Sequence, residues 1–332
     1  MHYDCKTLTS TILIICLFLF FGPGRSFAMG HGKHAEKKPA IVLASFGTTY
    51  PSALVAITNI QKAVQKAYPE CVVKLAFTSN IIRGIWHHRQ LEKDYLAKNP
   101  SVPAEVLYVK GPLATIAELQ DQGYKTIIVQ PTHIFAGEEY ADLTSYVDGL
   151  NSIKTIKAKF MPFKKLVISR PLLGQYGVEH DYHEDLEKAA EALAADVAEA
   201  AKNNATLVYM GHGNEYYSTG AYIEFQQVMR KMYPKTQIFI GTVEGFPSLD
   251  DVVDGLVHTS TKKIVLKPFM IVAGDHANND MAGDEDDSWK NVISAKGIKV
   301  IPITKGIGEK QSIADIYVNH IKDCAKDNGI DL

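Results

Sequence analysis

Cysteine, long apolar runs and concentrated charge are what this sequence has least of. Four cysteines in 332 residues are too few for a disulfide framework. Cys5 and Cys16 fall in the first 28 residues, which leaves Cys71 before a strand-like run and Cys324 in the last helix; a single bridge is open to them but nothing demands it. The formal net charge is only −2, with the basic residues scattered along the chain. That pattern gives no electrostatic footprint for nucleic acid and points to a small-molecule partner. The glycine turns after the strand-like runs lack Gly-x-Gly-x-x-Gly spacing, so no nucleotide cofactor is expected. The longest apolar run, Thr11–Phe21, is too short for a comfortable membrane span. With Lys6 ahead of it and Ser26 and Ala28 behind, it predicts a signal peptide over residues 1–28. The mature protein would then be periplasmic, without stable membrane insertion, and residues 29–38 would form a polar tail carrying His31 and His34.

What the chain does have is enough apolar sequence, 46% against 22% charged, for one large core or two ordinary ones. From Ala40, short apolar runs alternate with longer amphipathic ones, the signature of parallel sheets flanked by helices. Strands are expected at Ala40–Ser45, Val72–Phe77, Thr126–Gln130, Leu166–Ser169, Thr206–Met210, Gln237–Gly241, Lys263–Lys267 and Lys299–Ile303. Helices are expected at Ser52–Ala67, Leu113–Gln122, Tyr140–Leu150, His180–Lys202, Ile223–Met232, Leu249–His258 and Gln311–Cys324.

The chain also repeats itself. Ala40–Gly47 resembles Thr206–Gly213, each a buried strand ending in a glycine turn. Ile128–Glu139 aligns without a gap against Val265–His276, which sets Glu139 opposite His276. The expected fold is therefore α/β: two similar open parallel-sheet lobes related by internal duplication, 39–173 and 174–332, facing each other across a cleft. Ligands of such sheets bind outside the carboxyl ends of the strands, and the polar residues fall there.

His212 follows an apolar strand between Gly211 and Gly213, an exposed, side-chain-poor turn. His276 follows a second strand and Glu244 a third. Two imidazoles and a carboxylate suit a borderline divalent ion such as cobalt, nickel, iron or zinc. Taken singly, each histidine reads better as a hydrogen-bonded turn residue than as a ligand; their shared topological position is what joins them. Glu139 offers a carboxylate that can take a proton or attract a cation, although helix N-termini favour acidic residues in any case. The same dipole argument makes Asp284–Asp287 a helix start. His133 sits at a strand end as a cleft-lining residue. The stretch Ile81–Arg89 reads either as a helix surface or as a lid over a flat aromatic ligand, with Arg83 pairing an acidic group of that ligand.

Several stretches together resemble the anaerobic-type sirohydrochlorin cobaltochelatases, class II chelatases related to ferrochelatase. They are Ser45–Thr49, Ala76–Ser79 with Ile81–Arg83, His133 with Gly137–Tyr140, Met210–Gly213, Gly241–Glu244, and Val272–His276 through Asn279–Gly283 to Asp287–Trp289. The resemblance implies a lyase that inserts Co2+ into the tetrapyrrole sirohydrochlorin in cobalamin biosynthesis, with Fe2+ or Ni2+ as alternative metals. His212, Glu244 and His276 would bind the metal, His212 would also remove pyrrole protons, Glu139 would assist, and Phe46, Thr78, Arg83 and His133 would contact the macrocycle. Some exported relatives bind haem between subunits through a histidine just after the Gly-Glu-Glu-aromatic stretch; here that place is Ala141, which argues against haem. A homo-oligomer is left open, as is a non-catalytic periplasmic carrier of metal or tetrapyrrole.

Overall fold

The computed structural model of the protein describes residues 37–332 apart from Val178. The expected signal peptide, and the tail as far as Glu36, lie outside the described residues. Residues 37–332 form one compact unit.

Its first part runs β1 (Ala40–Ser45), α1 (Leu54–Ala67), β2 (Val72–Phe77), α2 (Asn80–Arg89), α3 (Lys93–Lys98), α4 (Ala104–Leu107), α5 (Pro112–Asp121), β3 (Thr126–Pro131), α6 (Glu138–Asn151) and β4 (Lys165–Ile168). The second part runs α7 (Tyr182–Ala192), α8 (Ala194–Lys202), β5 (Thr206–Gly213), α9 (Gly220–Met232), β6 (Ile238–Glu244), α10 (Leu249–His258), β7 (Lys263–Phe269), α11 (Trp289–Ala295), β8 (Lys299–Pro302) and α12 (Gln311–Asp327). All eight strands overlap the expected runs. They build two four-stranded parallel sheets with the same order, β2-β1-β3-β4 and β6-β5-β7-β8, so the sequence repeat is a repeat of topology.

Strands in parallel sheets are covered on both faces and so read as continuous apolar runs; every residue of β1 is buried. Alternate side chains then serve different cores. Ile41 and Leu43 point into a large central core shared with Leu207, Tyr209 and Val265 of the second sheet. Ala40, Val42 and Ala44 face the other way, toward α5 and α6. In the second sheet, Val208 and Met210 pack outward with Leu256, Trp289 and Ile293 from α10 and α11.

The last helix belongs to both parts. Through Ile313, Tyr317, Ile321 and Ala325, α12 joins the central core beside Ile57 and Ile60 of α1, and the Tyr68 hydroxyl donates to the Val318 carbonyl at 2.8 Å. Just after β4, Arg170 makes a two-pronged bond to the Asp185 carboxylate of α7 at 2.6 and 3.2 Å and reaches Asp323 of α12 at 2.8 Å. His320 closes the group, 3.2 Å from Asp185.

One expected element divides in two. The run 180–202 is α7 and α8 with a break at buried Leu193 (φ −100°, ψ 7°). The turn there aims Asp196 inward, where its carboxylate accepts from Lys267 and Lys310 at 2.6 and 2.8 Å and from the Tyr209 hydroxyl at 2.8 Å. Cys71 and Cys324 are both free and buried, so no bridge forms between them.

Candidate functional site

In a sheet ordered β2-β1-β3-β4, the chain leaves β1 toward one side and β3 toward the other. The loops therefore part at the carboxyl ends of β1 and β3, and likewise at β5 and β7, leaving a crevice at each. The first sheet supplies Ser45–Thr49 and Thr132–Phe135, and the second supplies His212, Gly213, Met270–Val272 and Gly274–His276. Together they line one cleft of about 430 Å3, within the range of small-molecule sites. Phe46, Ile81, Ile82, Ile85, Ile134, Phe135, Tyr222 and Ile271 give it apolar walls, and His133, Glu139, His212, Asp275 and His276 are its titratable groups.

His212 is carried by backbone that tolerates no side chain on either side. A Cβ at Gly211 would fall 2.4 Å from the Tyr222 ring, and one at Gly213 only 1.7 Å from the Glu244 carbonyl oxygen. Gly213 also has φ +83°, in the region that favours glycine. The His212 ring is left partly exposed, its Nδ1 3.2 Å from the Gly213 carbonyl and 3.9 Å from Glu244 Oε2. It meets the His276 ring edge to face, with centroids 4.8 Å apart and planes at 85°.

Immediately after His276 the chain makes a π-helical turn, Ala277–Met281, a local form that recurs at functional sites. It brings Asp280 Oδ2 to 2.5 Å from His276 Nδ1. A proton on Nδ1 donated to that carboxylate fixes the tautomer and leaves Nε2 as the free acceptor. Two donors that share one ion at bonds of about 2.1 Å can be at most about 4.2 Å apart; His212 Nδ1 and Glu244 lie within that limit, but Nδ1 can serve only once it gives up its bond to the Gly213 carbonyl. Among the described residues, however, no three His, Cys, Asp or Glu side chains are gathered into a ready-made metal cage. The set is open, and its members would have to close on an ion.

Glu139 lines the cleft from the first turn of α6. Its neighbour Glu138 is engaged elsewhere. The Glu138 carboxylate accepts from the Tyr216 backbone N–H at 2.7 Å, while its own N–H donates to Asn214 Oδ1 at 2.9 Å. The loop after β5 thus clasps the start of α6 across the cleft. A second cross-cleft bond runs from the Tyr50 hydroxyl to Asp275 Oδ1 at 3.1 Å.

His133 has both ring nitrogens buried and without a hydrogen-bond partner, and burial pushes its pKa down to about 4. It is a neutral imidazole on the cleft wall. Phe46 is 43% exposed, its ring centroid 6.3 Å from that of His212.

Thr78 and Arg83 are not brought to the cleft lining. The Arg83 guanidinium donates to the Thr78 carbonyl at 2.9 Å and also to Phe77 O and Asn80 Oδ1. It stitches the turn between β2 and α2 and has little left for a ligand acid, because the bend leaves those carbonyls without partners. The Thr78 hydroxyl is buried and unpaired. The stretch expected as helix surface or lid combines both: α2 is a helix anchored by buried Trp86, which donates to the Thr48 carbonyl at 2.8 Å, and Ile81, Ile82 and Ile85 face the cleft. Asn214 and Asp280 escaped sequence reasoning, one being a contact made across the cleft and the other lying in a stretch where no helical turn was expected.

The sequence model of the family described as "Cobalt chelatase (CbiK)" matches residues 39–326. Sirohydrochlorin cobaltochelatase CbiKC of Nitratidesulfovibrio vulgaris (strain Hildenborough) is 28% identical over 284 residues, covering 86% of this chain and 89% of that protein. Sirohydrochlorin cobaltochelatase of Salmonella typhimurium (strain LT2) is 29% identical over 287 residues, covering 86% and 95%. Among solved structures, the sirohydrochlorin chelatase SirB from Bacillus subtilis subspecies spizizenii in complex with cobalt has a similar fold, with a TM-score of 0.51 at 14% identity over 88% of this chain and 97% of that one.

Proposed function

The chain belongs to the cobalt chelatase (CbiK) family, and from that premise we propose that it inserts Co2+ into sirohydrochlorin, with release of two protons. The observation that carries this reading is the pair of imidazoles from separate strand ends, His212 and His276, meeting at 4.8 Å on an open, mostly apolar cleft. An apolar slot suits a flat macrocycle, and a pair of neutral imidazoles suits a borderline divalent ion.

In this reading the metal is a substrate and is held only in passing. His276, oriented by Asp280, offers Nε2, and His212 with Glu244 completes the set as the side chains close on the ion. Insertion breaks two pyrrole N–H bonds and forms bonds from the ring nitrogens to Co2+. His212, released as its place on the metal is taken by the macrocycle, accepts one proton, and Glu139 lies on the same cleft to take or pass on the other. Phe46 and the isoleucines of α2 bear on the ring face, and His133, its ring nitrogens turned inward, forms part of the wall beneath. Fe2+ and Ni2+ are alternative metals, since affinities along the divalent series overlap and availability decides.

The test is to mix purified protein with sirohydrochlorin and each of Co2+, Fe2+ and Ni2+ and follow the change in absorbance. Acceleration over the uncatalysed rate is expected, with Co2+ preferred. His212→Ala should lower the rate at least about 100-fold, with unfolding unchanged because the ring stands partly exposed at the end of β5 and contributes little to packing. If the unaltered protein gives no acceleration with any metal, the reading fails. The N-terminal apolar segment favours a second reading, a periplasmic carrier that keeps the histidines for binding. Such a protein would bind metal or tetrapyrrole stoichiometrically without turnover, and cell fractionation would place it outside the cytoplasm.

A further inference from the structure

In the chain as a whole the basic residues are dispersed, but one stretch is an exception. From Gly149 to Gly177 there is no acidic residue and there are six basic ones. Arg170 and Lys165 serve the fold, Arg170 through Asp185 and Lys165 through the Gly329 carbonyl at 3.0 Å. Lys154, Lys157 and Lys159 do not: none has an acidic partner among the described residues. They alternate with Ile153, Ile156 and Phe160, which are 41%, 105% and 61% exposed. Ile156 thus has no cover at all.

This loop stands on a fixed base. Asn151 donates to the Leu166 carbonyl at 2.8 Å, and the Lys164 backbone N–H donates to the Lys125 carbonyl at 2.8 Å. Since it joins α6 to β4, it lies at the amino ends of the parallel strands of the first sheet, the end opposite the one where the cleft opens. Lys37, where the described chain begins, is at that same end, ahead of β1.

We infer that the 153–160 loop docks the protein on an anionic lipid surface. Lysines on such a loop are drawn to negative headgroups while isoleucine and phenylalanine enter the boundary below them. None of the three apolar side chains lines the cleft, Ile156 is fully exposed and the Lys159 ammonium lies 5.0 Å over the Phe160 ring, an arrangement of paired apolar and cationic groups that suits a fluid anionic interface. No helix among the described residues is long and apolar enough to cross a membrane, so the contact is peripheral. Docked this way, the molecule turns its cleft away from the bilayer and leaves it open. The inference does not depend on the reading of the cleft.

The test uses residues 37–332, which form one compact unit with its own cores, in co-sedimentation with vesicles of phosphatidylcholine alone or mixed with phosphatidylglycerol. Binding is expected only with phosphatidylglycerol present and should weaken as salt rises. Replacing Lys154, Lys157 and Lys159 together by Glu should lower partitioning by more than about tenfold, since each lysine near an anionic surface is worth about fivefold. Ile156→Ser with Phe160→Ser should weaken what binding persists at high salt. Insertion activity should be unchanged in both variants, since none of these residues touches the cleft. Equal binding to neutral vesicles, or binding indifferent to both variants, overturns the inference. So does a change in sedimentation mass in either variant, which would show that a second copy covers the loop.

Discussion

Asp280 determines which nitrogen His276 can present. Its carboxylate lies 2.5 Å from Nδ1, and removing such a partner of a metal-binding histidine typically weakens metal affinity or activity 10–100-fold. Asp280→Ala should therefore raise the metal concentration needed for half-maximal insertion by about that factor, a result to be read from initial rates against metal concentration. His133 carries a separate expectation. Burial holds its pKa at about 4, below the ordinary value of about 6.5, so the unfolded chain binds this proton more readily than the folded one. The stability it confers is complete above about pH 6.5 and is lost as pH falls toward 4, roughly 3 kcal/mol in all. Met270 occupies the repeat-equivalent position, so His133→Met is a change of fitting size and should flatten that slope in denaturant titrations run across this pH range. The strand-end placing of His212, His276 and Glu244 was legible in the sequence because apolar runs followed by glycine turns mark the carboxyl ends of buried strands. Arg83 was misleading for a physical reason: an arginine beside a tight turn can be consumed by local carbonyls, and nothing in its spacing says so.

At the scale of elements, β5 and β6 meet so closely at their ends that the Gly213 Cα is pressed against the Glu244 carbonyl. Gly213→Ala puts a methyl 1.7 Å from that oxygen at φ +83°. It should cost several kcal/mol and push the end of β6, with Glu244, away from His212. Chemical denaturation would measure the first effect and metal titration the second. The strands themselves could be read because burial on both faces leaves an unbroken apolar run. The helices around them could be read less well: a 3.6-residue period carries on across Leu193 although the backbone turns there, and α2 turns Ile81, Ile82 and Ile85 to an open cleft, so its apolar positions read as a lid as readily as a packed helix. The π turn after His276 has no signature in composition at all, since the spacing His276–Asp280 suits an ordinary helix equally well.

At the scale of the whole molecule, the group Arg170–Asp185–His320–Asp323 ties the strand end of the first sheet to α7 and α12. Burial alone would raise the Asp185 pKa, but hydrogen bonds from His320 and Arg170 outweigh it and hold the carboxyl at about 2. With the folded pKa below the unfolded value of about 3.9, this stabilisation is present above about pH 3.9 and lost as pH falls toward 2. Asp185→Ala removes the two-pronged partner of Arg170 and leaves the buried guanidinium with Asp323 alone, and should destabilise by up to about 3 kcal/mol in denaturant unfolding at neutral pH. The two-sheet plan was foreseeable from the repeat; the dependence of the first part on the final helix was not, because pairing between distant helices leaves no mark in local sequence. That dependence has a consequence during synthesis. A ribosome delivers α1 early, yet the helix that covers it, α12, is the last element of the described chain. The growing chain must therefore wait with that apolar face uncovered, available to a chaperone, until α12 has been made and can seat.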